Sequence, residues 1–363
     1  MIVIHEYGEP SHYAGAIEAN KYKNSHVEYH EFSCIKIMIK SLIRKDSNAF
    51  KKAIKDLFFF ISCYIFPALL RDKYIIIGIA PVDFRILFFN RILKYSKVTY
   101  HTSWMIWDGH KFPKNNYFLK NTIKKQWHYF LSKIVDSFAV VTDSVKEQLV
   151  INMGVDPSKI DVVYHSYDES IFSFHNNSTQ KDKPVNIVFA GRLVKSKGVE
   201  EFLKIAESNP KINFYIIGRG DEELRIKDAC SFLPNLSFVG YVGNRTLLAS
   251  YYKEADFILL PSKRTEGWEE LFGMVIIEAM ACGCIPICTD HNGPITILKN
   301  SSWMKNIIKE DEYVVKTNNL INMYLSEPSL MLSDRQLAID TALLYSRKNI
   351  SQKWCSVFKK AGV

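Results

Sequence analysis

Glu270 and Glu278 stand eight positions apart in residues 255–298, ADFILLPSKRTEGWEELFGMVIIEAMACGCIPICTDHNGPITIL. A carboxylate has two acceptor oxygens and can hold a pair of sugar hydroxyls in fixed geometry. Glu278, inside an apolar helical run, could accept from a ribose in this way, and Glu270 from a second sugar. The alternative is a Glu278 that faces solvent from an amphipathic helix. Upstream, Gly191-Arg192 and Lys197-Gly198 precede a helix that begins at Val199. Two cations and the N–H groups of a helix start can offset the charge of a diphosphate without a metal. His101 closes an apolar run in His-Thr-Ser-Trp, where it either packs or meets a ligand. Cys282, Cys284 and Cys288 resemble a metal cluster in spacing. They fall in a helix–turn–strand as small packed residues, so no metal site is expected.

The elements that must position these residues follow from local pattern. The apolar run Phe257–Leu260 ends at Pro261-Ser262, and a loop carries Glu266, Gly267, Trp268, Glu269 and Glu270. Gly273 leads into a helix over Met274–Ala281, Gly283 stops it, and residues 285–288 begin another buried strand. Such a βαβ unit places ligands at the carboxyl ends of its strands. Further strands are expected over Ile2–His5 and residues 74–79, 98–101, 138–142, 161–164, 186–190, 213–217 and 236–238. The strand at 213–217 ends in Gly218-Arg219-Gly220, and Gly240-Tyr241-Val242 would edge a base pocket. After the first strand, residues 7–15 read as a Gly-containing loop whose N–H groups, Gly15 among them, could meet a phosphate or an acceptor. Asp143-Ser144 reads as the cap of a helix over 145–150.

The unit around the two glutamates resembles the donor-binding motif of retaining glycosyltransferases of family 4. There the first glutamate is followed by x-Phe-Gly and the second by Ala-Met-Ala, matched here by Glu270, Phe272, Gly273, Glu278, Ala279, Met280 and Ala281. Gly191-Arg192-Leu193 with Lys197-Gly198 is similar to the family's Gly-Arg-Leu-x-x-x-Lys-Gly. The resemblance implies an α/β, GT-B fold: two Rossmann-like, doubly wound parallel-sheet domains facing a cleft. It implies transfer of a hexose-type sugar from a UDP- or GDP-sugar to a glycan hydroxyl, with retention and without a metal or other cofactor. Arg192 and Lys197 become diphosphate ligands, Glu270 and His101 orient the sugar, and Glu278 holds the ribose. Gly15, Gly191, Gly218, Phe272, Gly273 and Met274 complete the expected nucleotide-sugar contacts. The chain departs from the pattern at residues 7–15, which lack adjacent glycines. It departs again at His165-Ser166-Tyr167-Asp168, where relatives have Pro-Asn-Gly-Val-Asp, and at Asn292, which replaces the first glycine of a Gly-Gly-Pro turn. A sugar-nucleotide epimerase and a non-catalytic nucleotide-sugar-binding partner share this fold. An NAD-dependent enzyme is disfavoured, because no G-x-G-x-x-G follows the first strand.

At 363 residues the chain has room for two domains. The expected division is 1–173, a polar linker at 174–184, a second domain at 185–344, and a C-terminal helix at 345–363 that returns to the first domain through Trp354 and Phe358. Seven scattered cysteines argue for free thiols and a cytoplasmic setting, and Met1 leads straight into a strand rather than a signal peptide. A net charge of +9 and a pI near 9.0 call for an anionic partner. No nucleic-acid module is visible. Residues 35–55 read as one basic amphipathic helix, with Lys36, Lys40 and Arg44 on one side and Ile35, Met38, Ile39 and Leu42 on the other. The apolar stretch 57–70 contains Pro67 and is too short to span a bilayer. Together they suit either the surface of an anionic bilayer or a solvated helix beside a core helix. A lipid-linked acceptor of bacterial surface polysaccharide, met at the inner face of the plasma membrane, fits the first of these. Trp104, Trp107, Phe112, Tyr117 and Trp127, interleaved with lysines, would serve acceptor, membrane or ordinary packing.

Overall fold

The computed structural model describes every residue except 7–9, 22–25, 105, 109–118, 175–183, 267 and 300. The described residues form two compact units, Met1–His165 with Ile350–Val363, and Ser166–Asn349. Strands of the first are β1 (Ile2–His5), β2 (Glu28–Glu31), β3 (Tyr74–Ile77), β4 (Lys97–Thr102), β5 (Ser137–Val140) and β6 (Ile160–Val162). They lie in the order β2-β1-β3-β4-β5-β6, each pair parallel. The second unit has β7 (Asn186–Arg192), β8 (Asn213–Arg219), β9 (Leu236–Gly240), β10 (Phe257–Leu260), β11 (Ile285–Thr289) and β12 (Ile307–Ile308). Their order, β12-β11-β10-β7-β8-β9, is again parallel throughout. The central strands are apolar on both faces, as Ile75-Ile76-Ile77 and Phe257-Ile258-Leu259 show, all wholly buried. That is the pattern of a sheet covered by helices on both sides. In the second unit the chain runs outward from β7 to β9 and returns to β10 on the other side of β7. This reversal opens a crevice at the carboxyl ends of β7 and β10.

The expected division at 173 moves to His165. Residues just beyond it belong to the second unit because Tyr167 exchanges backbone hydrogen bonds with Tyr345 and Arg347, both at 3.1 Å. Arg347 also pairs with Asp168 at 2.6 Å, and Phe172 packs on Tyr252. The same pairing keeps residues 345–349 there, so the return to the first unit begins at Ile350. Trp354 then stacks beside His101, and Phe358 meets Tyr74 edge-on. Of the expected linker, residues 175–183 lie outside the described residues.

Three local expectations change. The basic stretch 35–55 is two helices, Cys34–Arg44 and Ser47–Ile65. Lys45 closes the first in the left-handed region (φ 55°), and Asp46 caps the second by accepting from the Ala49 N–H at 3.0 Å. The helix over Asp143–Met153 is capped by Thr142 rather than Asp143-Ser144, its hydroxyl accepting from the Val145 N–H at 3.3 Å. Gly15 is no loop residue: it is buried in the helix Ala14–Lys21, with Ile350 and Trp354 packed where a side chain would stand. Residues 7–9 of that expected loop, and Phe112 and Tyr117, lie outside the described residues. Trp107 and Trp127 are core residues whose indole N–H groups donate to backbone carbonyls.

Candidate active site

In the second unit the crevice holds a pocket of about 720 Å³. Gly191, Arg192, Gly218, Met274 and Glu278, five of the expected residues, line it. The parallel register of β7 and β8 sets Gly191 beside Gly218 and Arg192 beside Arg219. Arg192 is exposed at the strand end and has no ion pair among the described residues. The guanidinium of Arg219 lies 4.3 Å from the centre of the Tyr241 ring, which forms another wall. Beyond β7 the chain makes a short turn, Lys195–Lys197, and enters the helix Val199–Ser208 through Gly198. Gly198 has φ 71°, and a Cβ there would lie 1.8 Å from the Pro261 carbonyl, so only glycine lets these two loops touch.

The charged residues are paired. Lys197 Nζ donates to Glu270 Oε2, with Ser262 Oγ donating to the same oxygen at 3.3 Å, and the ammonium sits 4.9 Å from the Trp268 ring centre. Glu278 is buried, as the helix Met274–Ala281 is apolar around it, and it accepts from Arg245 Nη2 at 2.7 Å. Burial pushes its carboxyl above the ordinary value, and Arg245 opposes that. Phe272 is buried against Tyr345, so its ring packs the loop, and Gly273 forms the N-cap of the Met274 helix. Asn292-Gly293-Pro294, expected as a turn, opens a short helix, Asn292–Ile297. Among the described residues no group of three or more His, Cys, Asp or Glu is arranged to hold a metal. Cys282, Cys284 and Cys288 are buried free thiols, and Cys284 donates to the Tyr252 carbonyl at 3.0 Å.

In the first unit His101, near the end of β4, lines a smaller pocket of about 250 Å³ together with Glu6, His12, Tyr13 and Trp104. Tyr13 and His165 flank its ring at 5.0 and 6.0 Å between centres. Burial pushes His101 down to about 3, so its ring is neutral and serves as one hydrogen-bond donor and one acceptor.

Residues 170–335 match the family model described as glycosyl transferases group 1. The matched segment lies within the second unit. A Klebsiella pneumoniae chain named "Uncharacterized 41.2 kDa protein in cps region" is 30% identical over 181 residues, 46% of this chain and 47% of that one. The N,N'-diacetylbacillosaminyl-diphospho-undecaprenol alpha-1,3-N-acetylgalactosaminyltransferase of Campylobacter jejuni is 25% identical over 218 residues, 58% of this chain and 54% of its own length. The chain thus spans about half the length of these relatives. Among solved structures, Anabaena HepE in complex with UDP superposes over 99% of both chains with TM-score 0.69 at 13% identity. That likeness is one of fold, GT-B, with two units each built on a parallel α/β sheet.

Within the matched segment, the local sequence pattern does not mark Arg245 or His291. Arg245 follows Asn244, which caps the helix Arg245–Glu254, and a cation at a helix start carries no signal of a buried partner 33 residues away. His12 and His165, which surround His101 in the first unit, were likewise not singled out as site residues. Asp168, the survivor of the departed Pro-Asn-Gly-Val-Asp motif, binds Arg347 and the Ser170 N–H, a structural role within the second unit.

Proposed function

We propose that the protein is a retaining glycosyltransferase that moves a hexose-type sugar from a UDP- or GDP-sugar to a glycan hydroxyl. The observation that carries this reading is the set of charges at the β7–β10 crevice: an open Arg192, the Lys197–Glu270 pair and the pairing of Arg245 with the buried Glu278. As a glycosidic bond to a diphosphate breaks, negative charge grows on the leaving group and positive charge on the sugar ring. Arg192 and Lys197 meet the first of these charges with cations already in place. When a diphosphate enters, Lys197 exchanges the Glu270 carboxylate for phosphate oxygens, and Glu270 is freed to accept from sugar hydroxyls. Glu278, paired with Arg245, accepts from the ribose. The leaving phosphate takes the acceptor proton, so no enzyme nucleophile is invoked and no metal or other cofactor is required. The UDP held by Anabaena HepE and the glycosyl transfer named for the Campylobacter relative support the donor class.

Saturation-transfer NMR against UDP- and GDP-sugars, with NAD as control, tests the donor. One nucleotide sugar should bind, and Arg192→Ala should weaken it and cost about 2–4 kcal/mol in the transfer barrier. A folded protein that binds none of them, or an Arg192→Ala variant equal to wild type, sinks the reading. Incubating the bound donor without acceptor separates transfer from epimerisation.

The acceptor is proposed to be lipid-linked and met at the inner face of a plasma membrane during surface polysaccharide assembly. Two relatives lend support through their names, one from a cps region and one acting on a diphospho-undecaprenol. The first unit supports it physically. Ile35, Ile39, Leu42 and Ile43 are 55–77% exposed on the helix Cys34–Arg44, and Phe58 and Ile65 on the next helix are also exposed. Between these helices and Phe84-Phe88 runs an apolar groove of about 910 Å³ edged by Lys36, Lys40 and Arg85. Apolar side chains bordered by lysines match an anionic bilayer surface.

A further inference from the structure

We propose that His291 is the positioning residue of the sugar-binding loop: its imidazole ties the backbone of Glu270 to an anchor at Glu310. The proposal rests on the reading of Glu270 as a sugar-binding carboxylate. His291 is wholly buried and lies just past the end of β11, beside the loop that follows β10. The Glu270 N–H donates to His291 Nδ1 at 3.0 Å. That bond requires a lone pair on Nδ1 and places the ring proton on Nε2, which faces Glu310 Oε1 at 3.0 Å. The same Glu310 oxygen accepts from the Arg264 N–H at 3.1 Å and from Arg264 Nη1 at 2.9 Å. One carboxylate therefore fixes the near side of the loop through Arg264 and the far side through His291.

The two residues after His291 complete the mould. Asn292 Nδ2 donates to Glu269 Oε1 at 2.6 Å, and the Gly293 N–H donates to the Glu270 carbonyl at 2.9 Å. A Cβ on Gly293 would stand 2.6 Å from the Phe272 nitrogen, so only glycine allows this approach. Both backbone groups of Glu270 are thus held by residues 291 and 293, and its carboxylate, which accepts from Lys197 and Ser262, is left to face the donor. The groups facing the His291 ring are Glu310, Arg264 and Glu269, with Trp268 beside it at 6.4 Å between ring centres. Burial and Arg264 favour the neutral ring, in agreement with a lone pair on Nδ1.

The test uses the full chain with UDP, UDP-glucose, GDP and GDP-mannose, and reads the ratio of sugar-nucleotide to nucleoside-diphosphate affinity. His291→Phe keeps ring volume and removes both hydrogen bonds. It should lower that ratio about tenfold, the scale of one bond to a charged group, and leave diphosphate affinity unchanged. His291→Asn, which offers an acceptor to the Glu270 N–H, should restore most of the ratio. Hydrogen exchange of the peptide 265–273 should rise in the Phe variant and fall back in the Asn variant. The proposal is overturned if His291→Phe leaves the ratio intact, lowers both affinities equally, or is no worse than His291→Asn. A Glu270→Ala variant that keeps the wild-type ratio overturns the reading of Glu270 itself. In that case the exchange of peptide 265–273 still reports whether His291 holds the loop.

Discussion

Glu278 carries a carboxyl group into a helix that is otherwise apolar; burial raises its pKa, and Arg245, whose own side chain is half exposed, opposes that shift. Burying an ionised carboxyl without a partner is costly, and loss of the partner shifts the group toward its neutral form. Arg245→Met should therefore raise the Glu278 pKa further above its already elevated position. A neutral carboxyl accepts less well from ribose hydroxyls, so nucleotide affinity in the variant should fall as pH drops and recover as pH rises. Wild type should show the same dependence only at lower pH. Titrating nucleotide affinity against pH for both proteins checks this, and coincident profiles would remove Glu278 from the ribose site. The residue types at this site were legible in the chain, because Glu270, Glu278, Arg192 and Lys197 fall at motif spacing. Their partners were not, because Arg245, His291 and Glu310 sit in segments whose local pattern is that of ordinary helix starts and turns.

Among the elements, the helix pair Cys34–Arg44 and Ser47–Ile65 is where the chain's basic and apolar content coincide. Its sequence predicts amphipathic helix, but it does not tell which face is covered. Cys34 and Ser41 turn inward, whereas Ile39 and Ile43 face out. Flotation with phosphatidylglycerol vesicles should recover the protein, and phosphatidylcholine vesicles or high salt should not, since each lysine near an anionic surface contributes about 1 kcal/mol. Ile43→Glu should abolish flotation without changing nucleotide binding in the other unit. Equal recovery of the variant would show that this face does not meet lipid. The polar strand β2, Glu-Tyr-His-Glu, was missed for a related reason. Its burial depends on His30 stacking on Phe59 at 3.5 Å and bonding Asp56 at 2.9 Å, both contacts to a later helix.

At the scale of the whole molecule, the buried histidines His101 and His165 make stability depend on pH. Burial pushes His101 down to about 3 and His165 well below its usual value. His12 Nδ1 lies 3.4 Å from His165 Nδ1, a contact that needs one protonated and one unprotonated nitrogen. Unfolded, these rings take up a proton near pH 6.5, so below that value the unfolded chain binds more protons than the folded one. The stabilising contribution is fully present above about pH 6.5 and is lost as pH falls toward the folded values, at roughly 1.4 kcal/mol per pH unit for each ring. Urea midpoints should fall between pH 7.5 and 5.5, and His165→Phe should flatten that slope. An unchanged slope would mean that the cluster titrates alike in both states.

The sequence by itself determined the apolar parallel strands, since runs such as Ile75-Ile76-Ile77 and Phe257-Ile258-Leu259 are buried on both faces. It also determined the helix at Met274–Ala281 with its Gly273 start. The tertiary structure alone decided the pairs Lys197–Glu270, Arg245–Glu278 and Glu270–His291, separated by 73, 33 and 21 residues. It alone decided that Gly15 packs rather than binds in a loop, and that residues 166–173 leave the first unit. Local periodicity reports which face of an element avoids water. Which carboxylate meets which cation depends on the reversal of strand order between β7 and β10, a property of the assembled sheet that no short stretch of chain encodes.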